Sequence, residues 1–389
     1  MNMTDEQLLD NFKKIYGDGG DIRGYFAPGR VNLIGEHIDY NGGHVFPCAL
    51  KAGTWCIARR RTDNKIHFYS YNAKKAGVIR NYADSLVKTE HSWTNYPKGV
   101  IKGFQDKEYR IETGFDAYVF GNIPGSGLSS SAAVEVCFGT MIADLYGFDV
   151  SPIDIALIGQ YAENKFIGMN CGIMDQFASA MGKENKAIFL NTNDLSYRYV
   201  PIDLDGCKIV VANSNKPHSL QNSHYNDRRR ECEQALADIQ KQVKVNTLCE
   251  LTPEEFESYK DLIKDEDCRK RARHAVYEEW RTKEAVKALN EGDLVRFGQL
   301  LNESGDSLRY YYDATCFEID TLVEEARKQK GVYGSRETGG GWGGNTVSIV
   351  KDENIEEFKA NVSKAYTTKT GFKTDIYELT IGDGGRRIF

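Results

Sequence analysis

The sequence predicts an α+β fold, in which strands dominate the first third of the chain and helices the second half. Strand candidates rich in β-branched and aromatic residues recur early, at residues 44–50, 54–60, 66–71 and 115–121. From Ser130 onward the apolar residues instead follow the spacing of a helix that buries one face. The chain of 389 residues is long enough for about two domains. We place their boundary where the composition changes, which predicts domains over residues 1–195 and 196–389.

Three helices are predicted in the first half of the chain. The first spans residues 4–16, where apolar residues recur at helical spacing. The second begins at Ser130 and ends before Gly147. The third follows its N-cap Ser151, with a proline in the first turn, and ends before Gly168.

The second half combines charged helices with a few strands. Two strongly charged stretches, residues 223–243 and 266–291, have helical patterns. Strand candidates lie at residues 208–213 and 346–350, and a glycine cluster precedes the second of them.

Composition excludes several functional classes. A formal net charge of −6 argues against a dedicated nucleic-acid binder, because phosphate contacts need clustered Lys and Arg. The nine cysteines form no CxxC pair, so we expect reduced thiols in a cytoplasmic protein and not a disulfide framework or a zinc site. We found neither an export signal nor a run of about 18 apolar residues, and therefore expect no membrane partner.

Residues 29–43, GRVNLIGEHIDYNGG, concentrate an arginine, two carboxylates and an imidazole between glycines. A surface helix with salt bridges would explain these charges, but the glycines interrupt the segment too often for a helix. The pattern favours a loop that holds a polar ligand.

Residues 121–136, GNIPGSGLSSSAAVEV, run from a strand through a Gly/Ser loop into a helix. Free backbone amides at a helix start form an anion site that suits the phosphates of a nucleotide. The segment is not a Walker A loop, because no lysine follows the last glycine. A hydroxyl of Ser130 or Ser131 could also reach a bound Mg²⁺. The alternative is a plain turn with serine caps.

Asp175 lies in the segment CGIMDQFASAMG, residues 171–182. It could be the N-cap of a helix that begins at Gln176. It could equally receive or orient the proton of an attacking hydroxyl, which phosphoryl transfer requires of the protein.

The segment TGGGWGGNTVSIV, residues 338–350, contains the spacing GxGxxG. In a dinucleotide site that pattern follows a strand and opens a helix, whereas here a strand follows it. The pattern favours a glycine-rich turn that lets the backbone approach another loop closely.

Together these motifs resemble those of the galactokinases, members of the GHMP superfamily of small-molecule kinases. The matching segments include PGRVNLIGEHIDYNGG, GLSSSAAVE, GMNCGIMDQFAS and TGGGWGG, and they occur in the same order from about residue 23 to residue 350. The resemblance implies a two-domain fold with a mixed β-sheet in the N-terminal domain, a ferredoxin-like C-terminal domain and the active site in the cleft between them.

The resemblance also implies how the site is divided. The sugar hydroxyls would be bound by Glu36, His37, Asp39, Tyr225 and the segment at Cys171 and Gly172. Carboxylates and an imidazole suit a sugar, whose hydroxyls both donate and accept hydrogen bonds. Arg30 and Asp175 would be the catalytic pair. A guanidinium favours a charged carboxylate, which makes Asp175 a poorer base but a good orienter of the sugar O1 hydroxyl.

For the nucleotide, the resemblance points to the loop residues Gly125, Ser126, Gly127, Leu128, Ser129, Ser130 and Ser131. Ser131 and Glu163 would hold Mg²⁺. Trp93, together with Tyr96, would flank adenine, although core packing is the commoner fate of a tryptophan.

The implied function is transfer of a phosphoryl group from ATP, with Mg²⁺, to the anomeric hydroxyl of α-D-galactose. The products would be galactose 1-phosphate and ADP, in the first step of galactose catabolism. Two alternatives stay open: a kinase for N-acetylgalactosamine or another galactose derivative, and a galactose sensor without turnover. We expect a monomer.

Overall fold

The computed structural model describes residues 3–124, 127–216 and 221–389, the side chains of residues 221–223 excepted. The strands in these residues are β1 (Ile22–Asn32), β2 (His44–Val45), β3 (Pro47–Arg60), β4 (Lys65–Ser70), β5 (Ile79–Tyr82), β6 (Phe115–Gly121), β7 (Lys186–Asn191), β8 (Tyr197–Pro201), β9 (Cys207–Asn213), β10 (Val332–Thr338), β11 (Asn345–Lys351), β12 (Asp375–Glu378) and β13 (Arg386–Arg387). The α-helices are α1 (Asp5–Tyr16), α2 (Asn95–Asp106), α3 (Ser130–Tyr146), α4 (Pro152–Tyr161), α5 (Met174–Met181), α6 (Gln221–Gln240), α7 (Pro253–Tyr259), α8 (Glu266–Asn290), α9 (Leu294–Ser307), α10 (Phe317–Arg327) and α11 (Ile355–Thr370).

A six-stranded mixed sheet organises the first half of the chain, as expected. Its strand order is β13-β1-β3-β6-β4-β5, and the β4–β6 pair is parallel while the other pairs are antiparallel. Helices α2 to α5 supply the apolar residues that pack with this sheet, among them Phe104, Phe138 and Phe177. A separate three-stranded sheet has the order β2-β7-β8.

The second half contains the ferredoxin-like arrangement. Strands β9, β10, β11 and β12 form an antiparallel sheet in the order β10-β11-β9-β12. Helices α6 to α10 connect β9 to β10, and α11 connects β11 to β12, which completes a βαββαβ topology. The chain then returns to the first sheet, where Arg387 pairs with Tyr25.

The helix predictions agree with the structure, with one correction at Asp175. Thr4 forms a capping box with Gln7 at the start of α1, and Ser151 accepts a hydrogen bond from the Asp154 amide at the start of α4. Helix α5 begins at Met174, with Ile173 at the N-cap position, so the possibility that Asp175 caps a helix starting at Gln176 is wrong. Asp175 instead lies in the first turn, and its carboxylate is free to face another segment.

The strand predictions were incomplete. The separate candidates 44–50 and 54–60 are replaced by a two-residue strand and the long strand β3, which pairs with β1 over most of its length. Strand β10 was not predicted at all. The glycine-rich segment forms the turn of the antiparallel hairpin β10–β11, which confirms that it is not a dinucleotide-binding loop.

Candidate active site

Strand β1 brings Arg30 beside the Gly/Ser loop. Gly29 is required here because a Cβ at this position would lie 2.5 Å from the Leu128 carbonyl oxygen. The next amide, that of Arg30, donates a hydrogen bond to the same carbonyl over 3.2 Å. The two motifs, about 100 residues apart in the sequence, therefore meet at the end of β1.

Arg30 and Asp175 form a bidentate ion pair. Arg30 Nε donates to Asp175 Oδ1 over 2.7 Å, and Nη2 donates to Oδ2 over 2.9 Å. Ser129 Oγ donates to the same Oδ2 over 2.5 Å, and Arg30 Nη1 donates to the Gly127 carbonyl over 3.1 Å. Arg30 is buried, whereas the Asp175 side chain is 32% exposed. The carboxylate is thus fixed by its partners and still open to the cleft.

Glu36 is buried among groups that bind its carboxylate. It forms an ion pair with the fully buried Arg336 and accepts hydrogen bonds from Asn32 Nδ2 over 2.7 Å and from the Gly339 amide over 3.0 Å. Burial raises the pKa of Glu36, while the charge of Arg336 and the Gly339 amide lower it. The signature loop is therefore tied to β10 and to the glycine-rich hairpin.

His37 is held in a defined orientation with one ring nitrogen free. Its backbone is in the left-handed region, with φ of 61°, and its ring packs against Tyr225 and Tyr312 at centroid distances of 5.3 and 4.7 Å. Nδ1 is 2.8 Å from the Tyr40 hydroxyl, whereas the buried Nε2 has no hydrogen-bond partner among the described residues. Burial lowers the pKa of His37 well below its usual value, so the ring is neutral.

Asp39 faces Gly172 and the start of α5. A Cβ at Gly172 would overlap the Asp39 carboxylate, which explains the glycine, and the Met174 amide donates to Asp39 Oδ2 over 3.3 Å. Burial, followed by the charge of Asp175, raises the pKa of Asp39 to about 6.

One cleft of about 210 Å³ is lined both by the predicted catalytic residues and by the predicted sugar-binding residues. Its lining includes the predicted catalytic pair, Arg30 and Asp175, and all the predicted sugar-binding residues: Glu36, His37, Asp39, Cys171, Gly172 and Tyr225. Burial raises the pKa of the Cys171 thiol well above its usual value, so this cysteine stays protonated at neutral pH.

The start of α3 borders the same cleft. Ser129, at the N-cap position, makes no capping hydrogen bond within the described residues, because its hydroxyl is bound to Asp175. The amides of the first helical turn are therefore available to an anion. Ser130 and Ser131 line the cleft, and so does Gly127, at φ of 91°, where a Cβ would lie 2.9 Å from Asn345 Nδ2. On the hairpin side, a Cβ at Gly339 would lie 3.1 Å from the Gly127 carbonyl oxygen, so the glycine-rich turn approaches the loop closely, as expected.

The structure limits what can be said of three predicted loop residues. Gly125 and Ser126 lie outside the described residues. Leu128 has a fully buried side chain in an apolar cluster, so only its backbone can face a nucleotide.

Trp93 and Tyr96 line a second cleft of about 390 Å³. Tyr96, Ser130 and Ser131 border both clefts, so the second opens onto the start of α3. Trp93 also packs edge-on against Phe68 at 6.0 Å, so it has contacts both with the core and with the cleft.

Ser131 and Glu163 lie together where the two clefts meet. Glu163 is buried in the π-helical turn Ala162–Ile167 that extends α4. Burial raises the pKa of Glu163, and a hydrogen bond from Ser131 opposes the shift. Residues 3–124, 127–216 and 221–389 contain no group of three or more His, Cys, Asp or Glu able to hold a metal ion. A hydroxyl and one carboxylate suit Mg²⁺, which takes few protein ligands and shares its shell with phosphates and water.

The structure adds residues that the sequence did not indicate. Arg336 binds Glu36 and the Leu33 carbonyl, and Tyr312 lies behind His37. The Ser129 hydroxyl donates a hydrogen bond to the Asp175 carboxylate. Neither Arg336 nor Tyr312 lines the cleft, and no local sequence pattern shows that they support residues that do.

Comparisons with known proteins give matches that cover most of the chain. Residues 10–60 match the galactokinase galactose-binding signature, residues 95–183 the GHMP kinase N-terminal domain, and residues 285–368 the GHMP kinase C-terminal domain. The galactokinase of Clostridium beijerinckii is 51% identical over 98% of each chain. The galactokinase of Bacillus subtilis is 44% identical over 98% of this chain and 99% of its own.

Solved structures extend the comparison. The galactokinase of Lactococcus lactis, crystallised with galactose, superposes with a TM-score of 0.95 at 43% identity, over 98% of this chain and 99% of that one. The mevalonate kinase of Methanococcus jannaschii has a TM-score of 0.64 at 16% identity, over 94% of this chain and 99% of that one, and shares the fold.

Proposed function

The chain belongs to the galactokinase family of the GHMP kinases, and we propose that it transfers the γ-phosphoryl group of ATP to the anomeric hydroxyl of α-D-galactose. The products are galactose 1-phosphate and ADP. The observation that carries this proposal is the Arg30–Asp175 pair, which lies in one cleft between a polar pocket and the amides of a helix start.

The polar pocket is the sugar subsite. Glu36 and Asp39 accept hydrogen bonds from hydroxyls, and the free Nε2 of His37 makes a further bond. Because these groups are buried, a sugar that lacks one of the matching hydroxyls leaves a polar atom without a partner, and such a site rejects it strongly.

The hydrogen bonds that Asp175 already accepts determine which of its oxygens is available to the sugar. Oδ2 accepts two bonds, from Arg30 and Ser129, whereas Oδ1 accepts one, from Arg30. Oδ1 therefore keeps a free lone pair for the sugar O1 hydroxyl. Asp175 orients this hydroxyl and accepts its proton as the bond to phosphorus forms, and Arg30 stabilises the charge that develops on the transferred phosphoryl group.

The nucleotide occupies the Gly/Ser loop and the second cleft. Residues 127–131 and the first amides of α3 bind the phosphates, and Trp93 with Tyr96 binds the base. Ser131 and Glu163, which share a hydrogen bond, would hold Mg²⁺, and the metal would supply neutralisation of phosphate charge.

The cellular location, the oligomeric state and the domain boundary of the protein are also proposals. We infer a cytoplasmic protein, because all nine cysteines lie in the described part of the chain as free thiols, which fits a reducing compartment. In the described residues no helix is long and apolar enough to cross a membrane. The monomeric state and the boundary at residue 195 stay predictions, which light scattering and limited proteolysis test.

The first experiment is ADP release from MgATP with galactose, N-acetylgalactosamine, glucose and arabinose, with the phosphorylated position read by NMR. We expect turnover on galactose at O1. Preference for N-acetylgalactosamine would reassign the sugar pocket but keep the mechanism. Binding of galactose and ATP without ADP release would contradict a catalytic function and favour a sensor.

A further inference from the structure

A chain of hydrogen bonds leads from His37 away from the sugar pocket. Its Nδ1 lies 2.8 Å from the Tyr40 hydroxyl, which lies 2.6 Å from the Tyr312 hydroxyl. The Tyr312 hydroxyl is in turn 3.3 Å from Cys232 Sγ. Tyr40 and Tyr312 are not among the residues that line the sugar cleft, so this relay lies behind it.

The position of Tyr312 within the relay is fixed by its surroundings. Tyr312 is fully buried, its ring packs against His274 at 4.4 Å, and its carbonyl accepts a hydrogen bond from Arg228 Nε over 2.8 Å. Tyr312 therefore presents its hydroxyl to Tyr40 from a position that cannot shift without repacking the core.

The proton order along the relay follows from the chemistry of its groups. Burial raises the pKa of Cys232 to about 11, so the sulfur keeps its proton at neutral pH. The thiol then donates to Tyr312, Tyr312 donates to Tyr40, and Tyr40 donates to His37 Nδ1. The opposite order would make the imidazole N–H donate to a phenolic oxygen and Tyr312 donate to sulfur, although a phenol is the better donor, a neutral ring nitrogen the better acceptor, and sulfur a weak acceptor.

We propose that Tyr312 is a positioning residue for sugar recognition, which acts through Tyr40 to hold His37 in the tautomer that presents an Nε2–H donor to the sugar. The inference rests on the proposed function, because it assigns the hydrogen-bond polarity of the same sugar pocket. In this proton order Nδ1 accepts from Tyr40 across the 2.8 Å contact, so the single proton of the neutral ring lies on Nε2.

The direct test is ¹⁵N NMR of the histidine rings in the full-length protein without ligands. The chain has seven histidines, and the His37 signals are assigned by their loss in a His37→Gln variant. We expect a protonated Nε2 and an unprotonated Nδ1 in the native protein, and a mixture of tautomers in Tyr312→Phe. A native protein with the proton on Nδ1 would overturn the inference without the need for any variant.

Kinetics give the second readout. Tyr312→Phe keeps the ring packing and removes one hydroxyl, so we expect the KM for galactose to rise about 3- to 10-fold, with a smaller effect on kcat and on the KM for ATP. The matched control is Tyr311→Phe, because Tyr311 is 39% exposed and its ring faces Arg273 outside the cleft. An unchanged galactose KM in Tyr312→Phe contradicts the inference. If no form turns over galactose, the proposed function fails, and the ring spectra alone decide on the relay.

Discussion

The proposed sugar side and the proposed nucleotide side of the site are built in different ways. On the sugar side, Glu36 and His37 are buried and bound by partners from β10, the hairpin and the segment after α9. On the nucleotide side, the loop offers backbone amides at the start of α3, and the N-cap serine leaves them without a side-chain partner in the described residues.

The difference follows from what each ligand requires. A sugar is distinguished by the positions of neutral hydroxyls, so each donor and acceptor must be fixed in advance. Phosphates carry charge and accept hydrogen bonds from any nearby amide, so a glycine-rich loop and a helix dipole suffice. We therefore expect substitutions on the sugar side to affect stability and specificity together, and those on the nucleotide side to affect ATP alone.

Asp175→Ala removes the carboxylate proposed to orient the sugar hydroxyl, and it has the largest expected effect. We expect kcat to fall by about 10²- to 10⁴-fold, because the sugar hydroxyl loses its orienting acceptor. Galactose binding, measured by calorimetry, should persist because Glu36 and His37 are unchanged. The control is Asp149→Ala, an exposed aspartate outside the cleft. Near-native turnover of Asp175→Ala would contradict the catalytic assignment.

Arg336→Met tests whether the sugar side depends on the ion pair between Glu36 and Arg336, which are far apart in the sequence. Arg336 is fully buried and pairs with Glu36, so its loss leaves a buried carboxylate without its counter-charge. We expect a loss of about 3–5 kcal/mol in the free energy of unfolding, together with a higher galactose KM. Chemical denaturation measures the first effect.

The control for Arg336→Met is Arg296→Ala, which breaks a partly exposed pair with Glu303. For this variant we expect the free energy of unfolding to fall by less than about 1 kcal/mol. Equal losses in the two variants would mean that the buried pair does not support the sugar loop.

The residues that the sequence predicted correctly are those whose function is encoded locally. Gly147 and Ser151 mark helix ends by their own backbone and side-chain chemistry, and the structure places the α3 and α4 boundaries beside them. The grouping of the sugar and catalytic residues followed from the order of several motifs, and one cleft brings them together.

The parts that could not be predicted depend on contacts between distant segments. Strand β1 contains Gly24, Pro28 and Gly29, which normally interrupt strands, and it forms because β3 pairs with it across an irregularity between Pro28 and Arg30. The partnership of Arg336 with Glu36 joins residues 300 positions apart. Neither local propensity nor spacing carries that information.

Asp39 gives the sugar side a pH dependence. Its pKa is raised to about 6, chiefly by burial and then by the charge of Asp175, so it takes up a proton as the pH falls through 6. A protonated Asp39 accepts hydroxyl hydrogen bonds poorly. We expect the ratio of kcat/KM for galactose between the native protein and Asp39→Asn to be constant above pH 7 and to fall by up to about tenfold per pH unit below 6. A ratio that does not vary between pH 5 and 8 would exclude this assignment.

Trp93→Leu is expected to have the smallest effect and addresses the nucleotide side. Loss of aromatic contact with the base should raise the KM for ATP by about 3- to 10-fold. Because the sugar side is built from other segments, the galactose KM should stay within about twofold. The control is Trp280→Leu, a partly exposed tryptophan on α8, for which we expect neither constant to change.

The outcome of Trp93→Leu decides how independent the two sides are. Trp93 shares its cleft with Tyr96, and Tyr96 also lines the sugar cleft. If the KM for galactose and the KM for ATP rise together, the two clefts are coupled through Tyr96. The division between a fixed sugar side and an adaptable nucleotide side then fails at their border. If only the ATP constant rises, the fixed partners of Glu36 and His37 are sufficient to isolate sugar recognition from changes around the base.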